Sequence, residues 1–193
     1  MARTKEFDRD EVLDSAMRLF WRQGYEATSI HDLVDATGIN RASMYATFGN
    51  KEALFARAID HYVDQITGNR LALLREEGSA RKALDRYFSL LIKFSLGEGR
   101  YLGCLLTNTA VEAAARNGDV EAQLSEAFGR VEQTFRQVIR RGQAAGEISR
   151  NQRATVLARF LMTTVHGLRV VTRFNPDEKQ LRDTVRVALS VLD

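Results

Sequence analysis

Apolar residues in this chain recur every three to four positions, the spacing that lines one face of an α-helix. Val12, Leu13, Ala16, Met17, Leu19 and Phe20 form the first such stripe. It is opened by Asp8 with Glu11 three residues on, the pattern of a capping box, and closed at Gly24. Ile30, Leu33 and Val34 predict a short second helix with Thr28 and Ser29 as cap candidates and Gly38 as its stop. Asn40 then caps a two-turn helix, Arg41 to Phe48, which ends at Gly49, and Asn50 caps a long helix beginning at Lys51. Four helices fill the first third of the chain.

Ser79 opens a further helix through Tyr87, Leu91 and Phe94, followed by a glycine-rich break at Gly97, Gly99 and Gly103. The next helix is predicted from Cys104 to Ala115. After Gly118, the run Leu124, Phe128, Val131, Phe135 and Val138 gives one apolar seam. Ser149 with Gln152, and Asp177 with Gln180, are box-like caps for two last helices, through Phe160 to Val171 and from Leu181 to Leu192. With about nine helices and a single proline, the expected fold is all-α. It divides into an N-terminal three-helix helix-turn-helix domain over residues 1–50 and a helical-bundle domain over 51–193.

Composition narrows the class. A chain of 193 residues, 45% hydrophobic and 27% charged, has enough apolar material for its own cores. Cys104 is the one cysteine, so no internal disulfide forms, and the charged N-terminus lacks the apolar centre of a secretion signal. No window approaches the roughly 20 uninterrupted apolar residues of a membrane span, so a cytoplasmic protein without a membrane partner is expected. The formal net charge is +3, yet residues 1–74 carry nine Lys and Arg against eleven Asp and Glu. Within that acidic stretch, Ala36 to Lys51 holds no acid at all, and Arg41 and Lys51 flank a run of small and hydroxylated side chains. An acid-free patch of this kind suits a polyanion better than the overall balance does.

Enzyme chemistry finds little support. His31, His61 and His166 are scattered, none follows a glutamate by three residues as in carboxylate-bridged metal bundles, and no Gly-x-Ser-x-Gly occurs. Neither a metal nor a cofactor is expected.

The segment that carries function is the pair of short helices joined by Thr37-Gly38-Ile39-Asn40. A glycine permits the sharp turn of a helix-turn-helix and Ile39 supplies a wedge between the helices. The second helix of such a unit enters the major groove, so its outward residues must be short or polar; Arg41, Ala42, Ser43, Tyr45 and Thr47 qualify. Met44 and Phe48, four apart, face inward. A generic helical hairpin shares this pattern.

The stretch Thr28-Ser29-Ile30-His31-Asp32-Leu33-Val34, through Gly38-Ile39-Asn40-Arg41-Ala42-Ser43-Met44-Tyr45, to Phe48-Gly49-Asn50-Lys51-Glu52-Ala53-Leu54-Phe55, closely resembles the TetR family of bacterial repressors. The resemblance covers about the first 60 residues and implies a ligand-binding and dimerisation domain behind them. It implies phosphate contacts at Thr28, Tyr45 and Lys51 and base contacts at Arg41, Ala42 and Ser43 of a double-stranded DNA operator. Where the family often has histidine before the phenylalanine, this chain has Thr47. Arg3 and Lys5 read as a minor-groove arm or as a solvated tail.

A two-turn recognition helix reads only a few base pairs, so a homodimer on a palindrome is expected. By the resemblance, the dimer surface falls on the last two helices, at Phe160, Leu161, Val165 and Leu168, and at Leu181, Val185 and Leu189; the same stripes also read as intrachain core. For a small-molecule effector the candidate lining is Tyr87, Leu91, Phe94, Cys104, Asn108, Phe135, Met162 and His166, all of which a helical bundle also uses as plain core. Thr163 and Arg169 add polarity beside His166. Cys104 reads as a small buried hydrophobe or as a reactive thiol at a helix start, a use that some TetR-like regulators make of similar Gly-Cys-Leu segments.

Overall fold

The computed structural model describes residues 7–113 and 118–193, so Arg3, Lys5 and the predicted helix end at Ala115 lie outside the described residues. The described residues form helices joined by turns and loops, with no strand among them. The helices are α1 (Arg9–Gln23), α2 (Ile30–Thr37), α3 (Arg41–Phe48), α4 (Lys51–His61), α5 (Gly68–Arg75), α6 (Ala80–Leu96), α7 (Leu105–Ala113), α8 (Gly118–Ala144), α9 (Ala154–Phe174) and α10 (Glu178–Ser190). A π-helical turn, Tyr62–Thr67, joins α4 to α5 without a break, since the residues at both junctions keep right-handed helical dihedrals. Nine continuous rods result among the described residues.

The caps form largely where the side chains foretell them. Asp8 accepts from the amides of Asp10 and Glu11, Ser29 and Asp32 make a reciprocal box, and Asn40, Asn50, Ser79 and Asp177 each accept from the amide three residues on. Ser149 does not open a helix. Its hydroxyl accepts from Asn151 at 3.3 Å, and α9 starts at Ala154 behind Arg153, which makes no side-chain cap.

Two apolar cores organise the rods. The first joins Phe20, Leu33, Met44, Phe48, Leu54, Phe55, Ala58 and Ile59. A boundary at residue 50 would cut this unit, because α4 lies against α1 and supplies Leu54, Phe55, Ala58 and Ile59 to that core. The second core is built by α5, α6, α8, α9 and α10 around Leu84, Phe88, Phe135, Ile139, Ala158 and Leu161. Arg130 of α8 reaches Asp60 and Asp64, and Gln123 donates to the Ala56 carbonyl at 2.7 Å, which fastens α8 along the α4 rod.

By length and composition α9 would reach across a membrane. Here it is a core helix: Leu157, Ala158, Leu161, Met162, Val165, Leu168 and Arg169 are buried against the neighbouring rods.

Candidate nucleic-acid interface and buried cationic cavity

Gly38 takes a left-handed conformation at φ 70°, ψ 6°, which costs a residue without a Cβ little, and its amide donates back to the Val34 carbonyl at 2.9 Å. Ile39 then buries between the two helices, as Met44 and Phe48 do from the inner side of α3. The remaining arc of α3 points to solvent. Arg41, Ala42, Tyr45 and Ala46 are exposed, while Ser43 and Thr47 are half-buried on its flank. The Arg41 guanidinium lies 5.4 Å from the centre of the Tyr45 ring and donates to its hydroxyl at 3.4 Å, so cation and hydroxyl stand together on one edge. Lys51, at the first position of α4, sets its ammonium 4.2 Å over the Tyr25 ring. Ala46, which the sequence pattern did not single out, joins the exposed arc.

Thr28 is different from its expected role. Its side chain is fully enclosed and its hydroxyl donates to the Gly24 carbonyl at 2.6 Å, clamping the loop between α1 and α2. A phosphate anchor needs a hydroxyl at the surface, and here that neighbour is Ser29, which instead caps α2.

The same loop is also held by a residue distant in the sequence. The Glu112 carboxylate of α7 accepts from the amides of Tyr25 at 3.0 Å and Glu26 at 2.7 Å. Gly24 takes a positive φ of 84°, which calls for glycine there, and a Cβ at this position would come within 2.9 Å of that carboxylate.

The other end of α7 borders a narrow cavity of about 30 Å³, close to the share of one water molecule in the liquid. Of the expected lining, Tyr87, Leu91, Cys104 and His166 face it, together with Thr67, Arg70, Leu106, Phe128, Val131, Val165 and Arg169. Phe94 sits behind, its ring 3.9 Å from the Arg70 guanidinium and 5.6 Å from that of Arg169. Phe135 and Met162 are core, Phe135 packing edge-on against Tyr87. Asn108 turns away to donate to the Leu102 carbonyl and accept from Arg173, bracing the turn at Gly103.

A chain of polar contacts runs through the wall. Arg169 donates to the Tyr62 hydroxyl at 3.1 Å, and Tyr62 donates to the Cys104 sulfur at 3.7 Å. Burial alone would raise the Cys104 thiol, but the Arg169 guanidinium and hydrogen bonds from Thr107 and Tyr62 outweigh it and hold the pKa below its ordinary value. Burial and the Cys104 charge push Tyr62 up to about 12, so it stays a phenol donor. Burial, then Arg169, lowers His166, leaving a neutral ring whose Nδ1 lies 3.2 Å from the Thr107 hydroxyl. The two readings of Cys104 meet here: it is enclosed like a small hydrophobe, yet its thiol is easier to ionise than a free one. The signal the sequence held for this cavity was Arg169, which stands four residues after Val165 on the buried stripe of α9.

The expected dimer surface needs correction. Leu161, Val165, Leu168, Leu181, Val185 and Leu189 are buried inside the chain, where a partner would not reach them; Phe160 alone is exposed. The solvent side of α9 and α10 is a second apolar set: Val156, Phe160, Val170, Phe174, Val187 and Val191. Between the helices it forms an open groove of about 420 Å³ lined by Phe160, Thr164, Asp183, Thr184, Val187 and Ala188.

Comparison with known proteins supplies two domain matches: bacterial regulatory proteins of the tetR family over residues 12–58, and the tetracyclin repressor-like C-terminal domain over residues 80–188. The chain is 38% identical over 172 residues to the HTH-type transcriptional repressor ComR of Escherichia coli (strain K12), covering 89% of this chain and 82% of that one. It is 30% identical to the HTH-type transcriptional regulator YezE of Bacillus subtilis (strain 168) over the full length of both. Among solved structures, a cysteine mutant of the TetR family regulator CifR bound to 26-base-pair operator DNA superposes with a TM-score of 0.86 at 32% identity, covering 100% of each chain.

Proposed function

The chain belongs to the TetR family of transcriptional regulators, and on that premise we propose that it is a repressor that binds a palindromic operator as a homodimer and releases it on binding a small molecule. The observation that carries this reading is the exposed arc of α3, where Arg41 and Tyr45 stand together on a helix whose opposite side is locked by Met44 and Phe48. A guanidinium so placed can read a guanine edge bidentately, while the Tyr45 hydroxyl and the Lys51 ammonium suit phosphates. The similar CifR mutant, complexed with operator DNA, supports operator binding by this chain.

Dimerisation follows from the need for two short recognition helices on one site, and the outward apolar residues of α9 and α10, with Phe160 and Val187 at the centre, are its surface. The cavity beside Cys104 is the effector site. One helix, α7, then spans from that site to the Glu112 carboxylate that fixes the loop ahead of α2, so a displacement of α7 moves the helix-turn-helix. A DNA-binding regulator of this kind works in the cytoplasm.

The test is a binding assay on DNA flanking the protein's own gene. The expected result is a salt-dependent shift at a palindrome, with protein of dimeric mass. Absence of any duplex binding at low salt would overturn the reading.

A further inference from the structure

Arg169 is 7% exposed and lies among apolar helices, yet its Nε and Nη2 have no hydrogen-bond partner; no other described residue has two such atoms. Its remaining polar contact, Nη1 to the Tyr62 hydroxyl, uses the opposite end of the guanidinium. Nε–H and Nη2–H point the same way from a guanidinium and form the fork that holds the two oxygens of a carboxylate in parallel. A buried fork left empty costs free energy, so it calls for an occupant.

The charge balance repeats the demand. A second guanidinium, Arg70, borders the same cavity from α5, and both cations stack on Phe94. Neither has an aspartate or glutamate within ion-pair distance among the described residues, and the groups that act on their charges are Tyr62, Tyr87 and Cys104. Arg169 is buried and Arg70 half-buried, and the two cations repel one another, which lowers Arg70 after burial has done so first. Cys104 offers at most one negative charge, and it is linked to Arg169 through Tyr62, on the side away from the fork.

We propose that the cavity between α5, α7 and α9 binds a small carboxylate, its two oxygens on the Nε and Nη2 edge of Arg169 and its charge shared with Arg70. This rests on the reading of the cavity as the effector site and specifies the chemical class it takes. The volume of about 30 Å³ admits the carboxylate head, so the tail of a larger acid must part the apolar lining at Leu91, Leu106, Phe128 and Val131. That parting is what would shift α7. The neutral His166 ring and the Thr107 hydroxyl beside it give the tail one polar contact.

Trp21, the single tryptophan, packs on Tyr62 at 4.8 Å and on Phe94 at 6.2 Å between ring centres and so reports on this site. The experiment titrates the whole protein with sodium formate and sodium acetate, against sodium chloride at equal ionic strength. Trp21 fluorescence and melting temperature are followed, and operator binding is read by anisotropy in parallel. A saturable fluorescence change and a raised melting temperature are expected with either carboxylate and not with chloride. At least tenfold weaker binding is expected in R70Q, and in R169K, which keeps the charge but loses the fork. Equal responses to chloride and formate, or unchanged affinity in folded R70Q and R169K proteins, would overturn the carboxylate site. Carboxylate binding that leaves the operator bound would uphold the site and refute its effector role. Operator release by some other compound, with no carboxylate bound, would refute the site and leave the regulator reading standing.

Discussion

Around α3 the polar groups, buried Thr28 among them, are matched within the loop or helix that carries them: Thr28 donates to the Gly24 carbonyl, Thr37 to the Leu33 carbonyl, and Ser29 and Asp32 cap each other. Around α9 the matching fails, and a guanidinium is enclosed with two nitrogens to spare beside a second cation. The first arrangement fixes a shape that has to be the same in every copy, because base edges tolerate little displacement. The second leaves free energy for something else to supply, and a site that gains a missing partner is one whose conformation that partner can change. Rigidity at the reading end and incompleteness at the cavity end are complementary properties of one regulator. Glu112 is where they meet.

The sharpest way to break the contrast is to hollow out the rigid end. F48A removes a ring that is 4% exposed and should cost about 3–5 kcal/mol by chemical denaturation, with loss of operator binding as α3 detaches. Were the loss under about 1 kcal/mol, α3 would not be held by this core. Cutting the link between the regions comes next. E112A leaves the Tyr25 and Glu26 amides without their charged acceptor and should cost about 1.5 kcal/mol, less than a buried pair because Glu112 is half-exposed, while weakening the response of operator binding to effector. An unchanged response would show that coupling runs by another path.

At the reading surface, R41A should relax preference at one base position by about 1–3 kcal/mol, seen in selection of bound sequences. K51A should instead weaken all sequences alike and lower the salt slope by about 1. The smallest effect belongs to pH. His166 titrates below the ordinary 6.5 in the fold, so the unfolded chain takes up its proton first as pH falls. Stability from this residue is complete above pH 6.5 and declines as pH drops below it, down to the depressed folded value. H166Q should flatten that decline in melting temperature; an identical slope would remove His166 as its source.

Helix count, caps and the inward pair Met44 and Phe48 were legible because each depends on residues within about one turn of one another. The helix-turn-helix was legible for the same reason, as a glycine, a wedge and two short helices in sequence. Misreadings arose where a residue's fate depends on a distant rod. Thr28 reads as a free hydroxyl until the loop folds over it, and Ser149 reads as a cap until α9 starts at Ala154 instead. The stripes of α9 and α10 were correctly apolar, but α9 carries a second apolar set, and only packing decides which side, Leu161 or Phe160, meets the chain's own core.

By itself, the sequence determined an all-helical chain with a capped, glycine-turned helix pair and an acid-free patch, since periodicity, caps and turns act over a few residues. The tertiary structure alone decided that Arg70 and Arg169, 99 positions apart in the numbering, share one ring and one cavity without a carboxylate, and that Glu112 holds the loop at Tyr25. Such meetings cost chain entropy that only the packed cores offset, so no local pattern records them.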